Sequence, residues 1–195
     1  MTTPAPEKPA RVHWWRKLWH ASGAAVVAAY AGFGLERELA AALLGGAALL
    51  LLALDVARAR SPAVQALFAR SFRGILDPKD APGLNGSTLY FGGCAVAAVL
   101  FPRDAACAGI LALALGDPMA AVVGGSVRSP RIGRVSLAGS GACFVAALLA
   151  CRIFSPWPAA LAGGAAATAL EALAGSKLDN FCIPIGAAAA VYAFL

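Results

Sequence analysis

Seven apolar segments alternate with short polar turns along the chain, at about 17–34, 38–54, 85–101, 105–125, 136–154, 157–174 and 180–195. A helix needs roughly 20 predominantly apolar residues to cross a bilayer, and several of these segments approach that length. The pattern predicts an all-α integral membrane protein, a bundle of about seven transmembrane helices. The long connection between the second and third segments has a different rhythm. From Pro62 to Leu76, the apolar residues Val64, Leu67, Phe68, Phe72 and Ile75 recur at helical spacing, with Arg70 and Arg73 between them. That spacing predicts one interfacial amphipathic helix, within a segment of about 60–80, lying on the membrane surface. Residues 1–10 are Pro-rich and polar and read as a disordered tail, leaving 11–195 as a single polytopic domain.

Composition agrees with the pattern: 60% of the chain is hydrophobic and only 13% is charged, against roughly 25% charged in soluble domains. Alanine and glycine dominate the apolar runs, which suits close helix–helix approach in lipid. The pairs Gly45-Gly46 and Gly163-Gly164 are read as packing positions of this kind. The five cysteines form no CxxC pair and read as buried thiols, and the two histidines are too few for a zinc site.

The net charge of +6 is distributed, not clustered as in a nucleic-acid-binding face. Of the 16 Lys and Arg residues, all except Arg37, Arg103 and Arg152 fall in the N-terminal region or in alternate connections. By the positive-inside rule the N-terminus is cytoplasmic and the C-terminus is outside. Trp14, Trp15 and Trp19 then sit at the cytoplasmic interface as an aromatic anchor.

One charge breaks the fourth segment. Asp117 is the sole ionisable side chain carrying formal charge in 105–125, and Pro118 follows it. A carboxylate there costs at least about 2.5–3.5 kcal/mol on insertion scales, so a functional role is the default reading. The proline cannot donate to the carbonyl four residues back, which predicts a kink or break beside the acid. The orientation gathers other polar residues at the same face: Arg16, Lys17 and His20; Asp55; Asn85, Ser87 and Thr88; Arg128, Arg131 and Arg134; Ser136 and Ser140; Glu171; and Lys177, Asp179 and Asn180. Carboxylates, an amide and cations in one place suit a nucleotide phosphate with Mg²⁺, which takes one or two carboxylates plus phosphate oxygens. No Walker A sequence and no soluble-kinase signature is present, so phosphoryl transfer requires another scaffold. In this reading Asp117 binds Mg²⁺, with Asp179 as second ligand or as the base for an acceptor hydroxyl. Asn180 completes the shell. Arg16, Lys17, Arg128 and Lys177 clamp phosphates, and Asn85 and Thr88 orient the base or ribose. Blander readings exist for several of these: Asp179-Asn180 suits a helix N-cap, Glu171 suits an ion pair with Lys177 or Arg16, and Asp55 a loop-edge pair with Arg58.

The chain resembles the CTP-dependent lipid kinases, the family of CTP-using diacylglycerol kinases, dolichol kinases and phytol or farnesol kinases. The resemblance rests on Arg16-Lys17-x-x-His20, on Asn85-Gly86-Ser87-Thr88-Leu89-Tyr90-Phe91, and on Gly116-Asp117-Pro118-x-Ala120-Ala121-x-x-Gly124. Ser136-Leu137-Ala138-Gly139-Ser140 and Glu171-x₇-Asp179-Asn180-x-x-x-Pro184 complete it. It implies CTP-dependent transfer of the γ-phosphate to a lipid alcohol at the cytoplasmic face of the inner membrane. It also links Arg16, Lys17, Asp117 and Gly124 to activity, with His20, Ser136 and Glu171 in the substrate or nucleotide site. The chain departs from the family at Val135-Ser136-Leu137-Ala138-Gly139, where Lys-Ser/Thr-x-Glu-Gly is common. A CTP:phosphatidate cytidylyltransferase and a small transporter are the alternatives. The first lacks its Asp-rich C-terminal element here, and the second calls for polar residues at several depths. Neither the lipid alcohol nor the oligomeric state is legible.

Overall fold

The structure, a computed structural model, describes residues 14–72, 83–175 and 177–195, the first four of them by backbone alone. The 1–10 tail, Arg73, Lys79 and the end of the expected interfacial segment lie outside the described residues. The fold is all-α, as the hydrophobic pattern predicts. Its helices are α1 (Trp14–Ala21), α2 (Gly23–Val27), a π-helical turn (Ala28–Gly32), α3 (Arg37–Arg60), α4 (Pro62–Ser71), α5 (Gly86–Leu100), α6 (Arg103–Ser126), α7 (Leu137–Arg152), α8 (Trp157–Leu173) and α9 (Asp179–Tyr192). A two-stranded hairpin, β1 (Arg131–Ile132) and β2 (Val135–Ser136), stands between α6 and α7.

Two departures from the expected segments have local causes. The first segment is not one helix but is interrupted at Ser22 and then widens into the π turn. The Ser22 hydroxyl donates back to the Trp19 carbonyl at 2.6 Å, a side-chain bond that competes with the helical ladder and bends it. The fourth segment does the reverse. The break expected at Pro118 is absent, and α6 runs unbroken from Arg103 to Ser126. Proline there forfeits one hydrogen bond to the Ala114 carbonyl, but neighbouring helices enclose α6 and the helix continues past it.

α6 is the central element. It packs against α7 and α9 most extensively and also touches α1, α2, α5 and α8, while α3 lies at the periphery against α5 and α4. Among the described residues only α3 and α6 are long and apolar enough by themselves to cross a membrane, and 61% of the apolar window of α6 is buried against 17% for α3. The core is built from small residues. Ala97, Ala105, Ala108, Ala112, Ala147 and Ala187 are fully buried, with Cys94, Cys107 and Cys151. Large aliphatics point outward instead, Leu43, Leu50, Val145, Leu149 and Leu161 among them. Aqueous folding would bury the leucines first. A small-residue interior under a leucine exterior is the arrangement that lipid favours.

Glycine sets the closest crossings. A Cβ on Gly109 would collide with the Pro184 carbonyl and stand 2.9 Å from the Ala188 nitrogen, so α6 and α9 touch backbone to backbone. Gly163 meets Val191 and Cys151, and Gly164 meets Leu148, which makes that pair packing positions as read from the sequence. Gly45 and Gly46 are not. A Cβ on Gly45 would have only ordinary contact with Ala95, and one on Gly46 would meet nothing.

Candidate polar site at the basic end of the bundle

The ends of α3, α6 and α8 and the beginnings of α5, α7 and α9 share one end of the bundle, and α1 reaches it through Trp19. The unbroken α6 carries Asp117 about nine residues, or roughly 13 Å, short of its C-terminus at Ser126. α1 lies across α6 at this level, and His20 Nδ1 stands 3.3 Å from Asp117 Oδ2, with side-chain exposures of 11% and 16%. Tyr90 of α5 completes the corner. Its ring meets the His20 ring edge-on at 5.6 Å between centroids, and its hydroxyl donates to the His20 carbonyl at 3.5 Å. Gly23 lets Tyr90 approach α2, since a Cβ there would strike the phenol oxygen. On the α7 side, Gly116 abuts Cys143, and Thr168 and Glu171 of α8 lie within interaction range of the same thiol.

The start of α5 is fixed by Asp55, a carboxylate expected at a loop edge. Asp55 lies inside α3 and is only 4% exposed. Its Oδ1 accepts from Arg58 Nη1 at 2.8 Å, and its Oδ2 accepts from the Asn85 backbone N–H at 2.8 Å and the Thr88 hydroxyl at 2.6 Å. Arg58, 3% exposed, donates from Nε to Gln65 Oε1 at 2.9 Å and stacks 3.8 Å over the Phe68 ring of α4. Asn85 is the N-cap, its Oδ1 accepting from the Ser87 N–H at 3.1 Å. Thr88 and Asn85, expected to orient a base or ribose, are therefore engaged in holding α5 to α3. The pairing of Asp55 with Arg58 holds as expected; its burial and its two further donors were not visible in the pattern.

The other two starting helices are also closed internally. At α7, Ser136 Oγ accepts from the Gly139 N–H at 3.1 Å and Ser129 Oγ from the Ala138 N–H at 3.1 Å. At α9 the N-cap position is Leu178, so Asp179 and Asn180 open the helix from inside it and do not cap it as expected; Asp179 Oδ1 accepts from the adjacent Asn180 N–H at 2.8 Å. These amides would otherwise be natural phosphate donors. With them satisfied, anion binding at this end falls to basic side chains. Arg128 is exposed. Lys177 Nζ donates to the Leu84 carbonyl at 3.4 Å. Arg134 caps the end of α8, donating to the Glu171 and Ala172 carbonyls at 2.5 and 3.4 Å. Gly133, at φ +60°, makes the hairpin turn that aims it there. Arg16 and Lys17 lie in α1, with side chains outside the described residues.

The separate sequence elements that carry the resemblance thus meet one another. Gly124 packs on Ser136 and Gly139: an added Cβ would lie 2.8 Å from Ser136 Oγ and 3.4 Å from Gly139 Cα. Gly86 packs on Asn180, where a Cβ would lie 2.9 Å from Nδ2. Trp19 Nε1 donates to Ser87 Oγ at 3.1 Å, joining α1 to α5.

No family model, curated protein or solved structure matches this chain.

Among the described residues, no group of three or more His, Cys, Asp and Glu side chains gathers as a ready-made metal cluster. Asp117 offers a single, slightly exposed carboxylate beside His20. That donor set fits a cation arriving with phosphate oxygens and water, which is how Mg²⁺ is commonly held, and does not fit an all-protein cage. Asp179, the second expected ligand, is buried at the start of α9.

Proposed function

We propose that the chain is a multi-pass lipid kinase of the cytoplasmic membrane. It transfers the γ-phosphate of a nucleotide, CTP by sequence resemblance, to the hydroxyl of an isoprenoid alcohol or diacylglycerol. The observation that carries this reading is the meeting of sequence elements far apart in the chain. His20 of the Arg-Lys-x-x-His element stands against Asp117 of the Gly-Asp-Pro element, Gly124 against the Ser136–Ser140 element, and Gly86 against Asn180. Polar and ionisable groups concentrated at one end of an otherwise apolar bundle suit a soluble donor meeting a membrane-borne acceptor.

Membrane embedding by about seven spans, with the basic end in the cytoplasm, rests on the inverted packing and the cation distribution. α4 continues from the end of α3, exposing Leu67 and Phe72 beside Arg70, as an interfacial helix would.

In this reading Asp117 and Asp179 hold Mg²⁺ together with the nucleotide phosphates, and the ion supplies charge neutralisation for the transferring phosphoryl group. Arg16, Lys17, Arg128 and Lys177 attract and orient the phosphates. The acceptor hydroxyl loses its proton as its oxygen bonds to the γ-phosphorus, and the nucleoside diphosphate leaves. His20 keeps the Asp117 carboxylate turned toward α1.

The test is transfer of label from γ-labelled CTP or ATP to a panel of lipid alcohols by the purified protein in nanodiscs. Asp117→Asn should abolish labelling while leaving the unfolding temperature close to wild type. Near-normal transfer by that variant would remove Asp117 from the mechanism. Pyrophosphate release with no γ-label in lipid would point to cytidylyl transfer instead.

A further inference from the structure

The Asp55 network does more than close the end of a helix, because its hydrogen bonds continue to the Asp117 corner. From α4, Gln65 and Phe68 hold the Arg58 guanidinium; Arg58 holds Asp55; and Asp55 holds Asn85 and Thr88 in the first turn of α5. In that same turn Ser87 accepts from the Trp19 indole, and Trp19 adjoins His20, which stands 3.3 Å from Asp117. Each link is a named contact or a step between adjacent residues (Thr88 to Ser87, Trp19 to His20), and the two ends belong to different parts of the molecule: the helix α4 and the carboxylate in α6.

We propose that Asp55 and Arg58 are positioning residues for the Asp117 site. They set the first turn of α5 and, through Ser87 and Trp19, the face of α1 that carries His20. The inference rests on the reading of Asp117 as the reaction centre. Two features argue that the network has a purpose beyond stability. A buried ion pair is an inefficient way to stabilise a helix contact, since apolar residues of like volume do as well or better. And the carboxylate accepts three hydrogen bonds that tie α3 to α5, with α4 joined through Arg58, a geometry that specifies position. Because α4 forms one wall of the network, seating α4 on the lipid surface would help to hold the site in register.

The experiment removes one link and keeps the rest. Thr88→Val deletes only the hydroxyl donated to Asp55 Oδ2, leaving the ion pair and the Asn85 N–H in place; Thr88→Ser restores the donor. Two readouts are taken on the full chain in nanodiscs: the Trp19 indole N–H resonance, assigned with Trp19→Phe, and the kcat and KM of phosphoryl transfer. Thr88→Val should move the Trp19 resonance and lower kcat about tenfold with little change in the nucleotide KM, as a small misplacement of reacting groups does. Thr88→Ser should return both to wild type. A merely structural threonine would lower the unfolding temperature without shifting Trp19 or the kcat of the folded protein, and that result overturns the proposal. Should the wild type phosphorylate none of the lipid alcohols, the kinase reading falls. The Trp19 response then decides the coupling by itself: a shift in Thr88→Val reversed in Thr88→Ser upholds it, and an unmoved resonance ends it.

Discussion

The crossing of α6 and α9 gives a prediction whose sign can be worked from two glycines. Ala is favoured over Gly inside a helix by about 1 kcal/mol, so Gly→Ala should stabilise wherever space allows. At Gly46, on the exposed face of α3, an added methyl meets nothing within 4 Å. Gly46→Ala should therefore gain about 1 kcal/mol. At Gly109 the same methyl collides with the Pro184 carbonyl and stands 2.9 and 3.0 Å from the nitrogen and Cβ of Ala188. All three obstacles belong to a helix backbone or its first side-chain carbon, so no flexible group can swing aside. Relief requires α9 to withdraw by about 1 Å, a gap that forfeits a quarter to a half of each dispersion contact it opens.

Overpacking of this kind costs about 1–3 kcal/mol, and the rigid obstacles put Gly109→Ala at the upper end. Subtracting the propensity gain leaves a loss of about 2 kcal/mol. At about 2–4 °C per kcal/mol for a chain of this size, the two variants should differ in Tm by about 6–12 °C, Gly46→Ala above wild type and Gly109→Ala below it. Thermal unfolding of both in the same detergent, followed by circular dichroism, measures this directly. A Gly109→Ala protein as stable as Gly46→Ala would refute the backbone contact between α6 and α9, and with it the placement of Asp179 and Asn180 at the start of α9.

Two further outcomes are expected. Maleimide should label Cys182 slowly and leave Cys94, Cys107, Cys143 and Cys151 unmodified in the folded protein, since those four thiols are buried; mass spectrometry of the intact chain checks it, and rapid multiple labelling would contradict the packed small-residue core. Pro118→Ala should raise stability by about 1 kcal/mol, because it returns a donor to the Ala114 carbonyl in a helix that already runs through this position; a lower Tm would show that the proline shapes α6 after all.

Helix positions were the most legible property of the sequence, for a physical reason. Long apolar runs between charged turns have one stable solution in lipid, and the segments expected at 85–101, 105–125, 136–154 and 157–174 coincide closely with α5, α6, α7 and α8. What the pattern lacked was information about partners. Asp55 and Arg58 looked like a turn-edge pair because the sequence places them three apart at the end of a hydrophobic run. Only the fold brings Asn85 and Thr88, some 30 residues away, onto the same carboxylate. Gly45-Gly46 and Gly163-Gly164 are equivalent as sequence, yet one pair faces outward and the other is clasped between α7 and α9. Local chemistry alone predicts a kink or break at Pro118, and of these the break is absent. Enclosure by neighbouring helices, a tertiary effect, outweighs the loss of one hydrogen bond.

That unbroken helix poses the sharpest question for the proposed chemistry, since roughly 13 Å of α6 separates Asp117 from its C-terminus. The staggered helix ends supply the answer that a broken helix would have given. α6 does not end level with its neighbours. Gly124, near its tip, packs on Ser136 and Gly139, so α7 begins at the height of the last turn of α6. On the opposite side Tyr90 reaches the His20–Asp117 corner from only four residues into α5, about 6 Å from that helix's start at Gly86. Measured from α5, Asp117 lies about one turn below the rim; measured from α6 and α7, it lies more than two. Among the described residues the helix ends here are thus staggered, with the tips of α6 and α7 and the hairpin between them reaching further past Asp117 than the start of α5 does. In the proposed reaction a phosphate chain would reach the carboxylate from the α5 side, and the residues that hold the start of α5 are those of the Asp55 network.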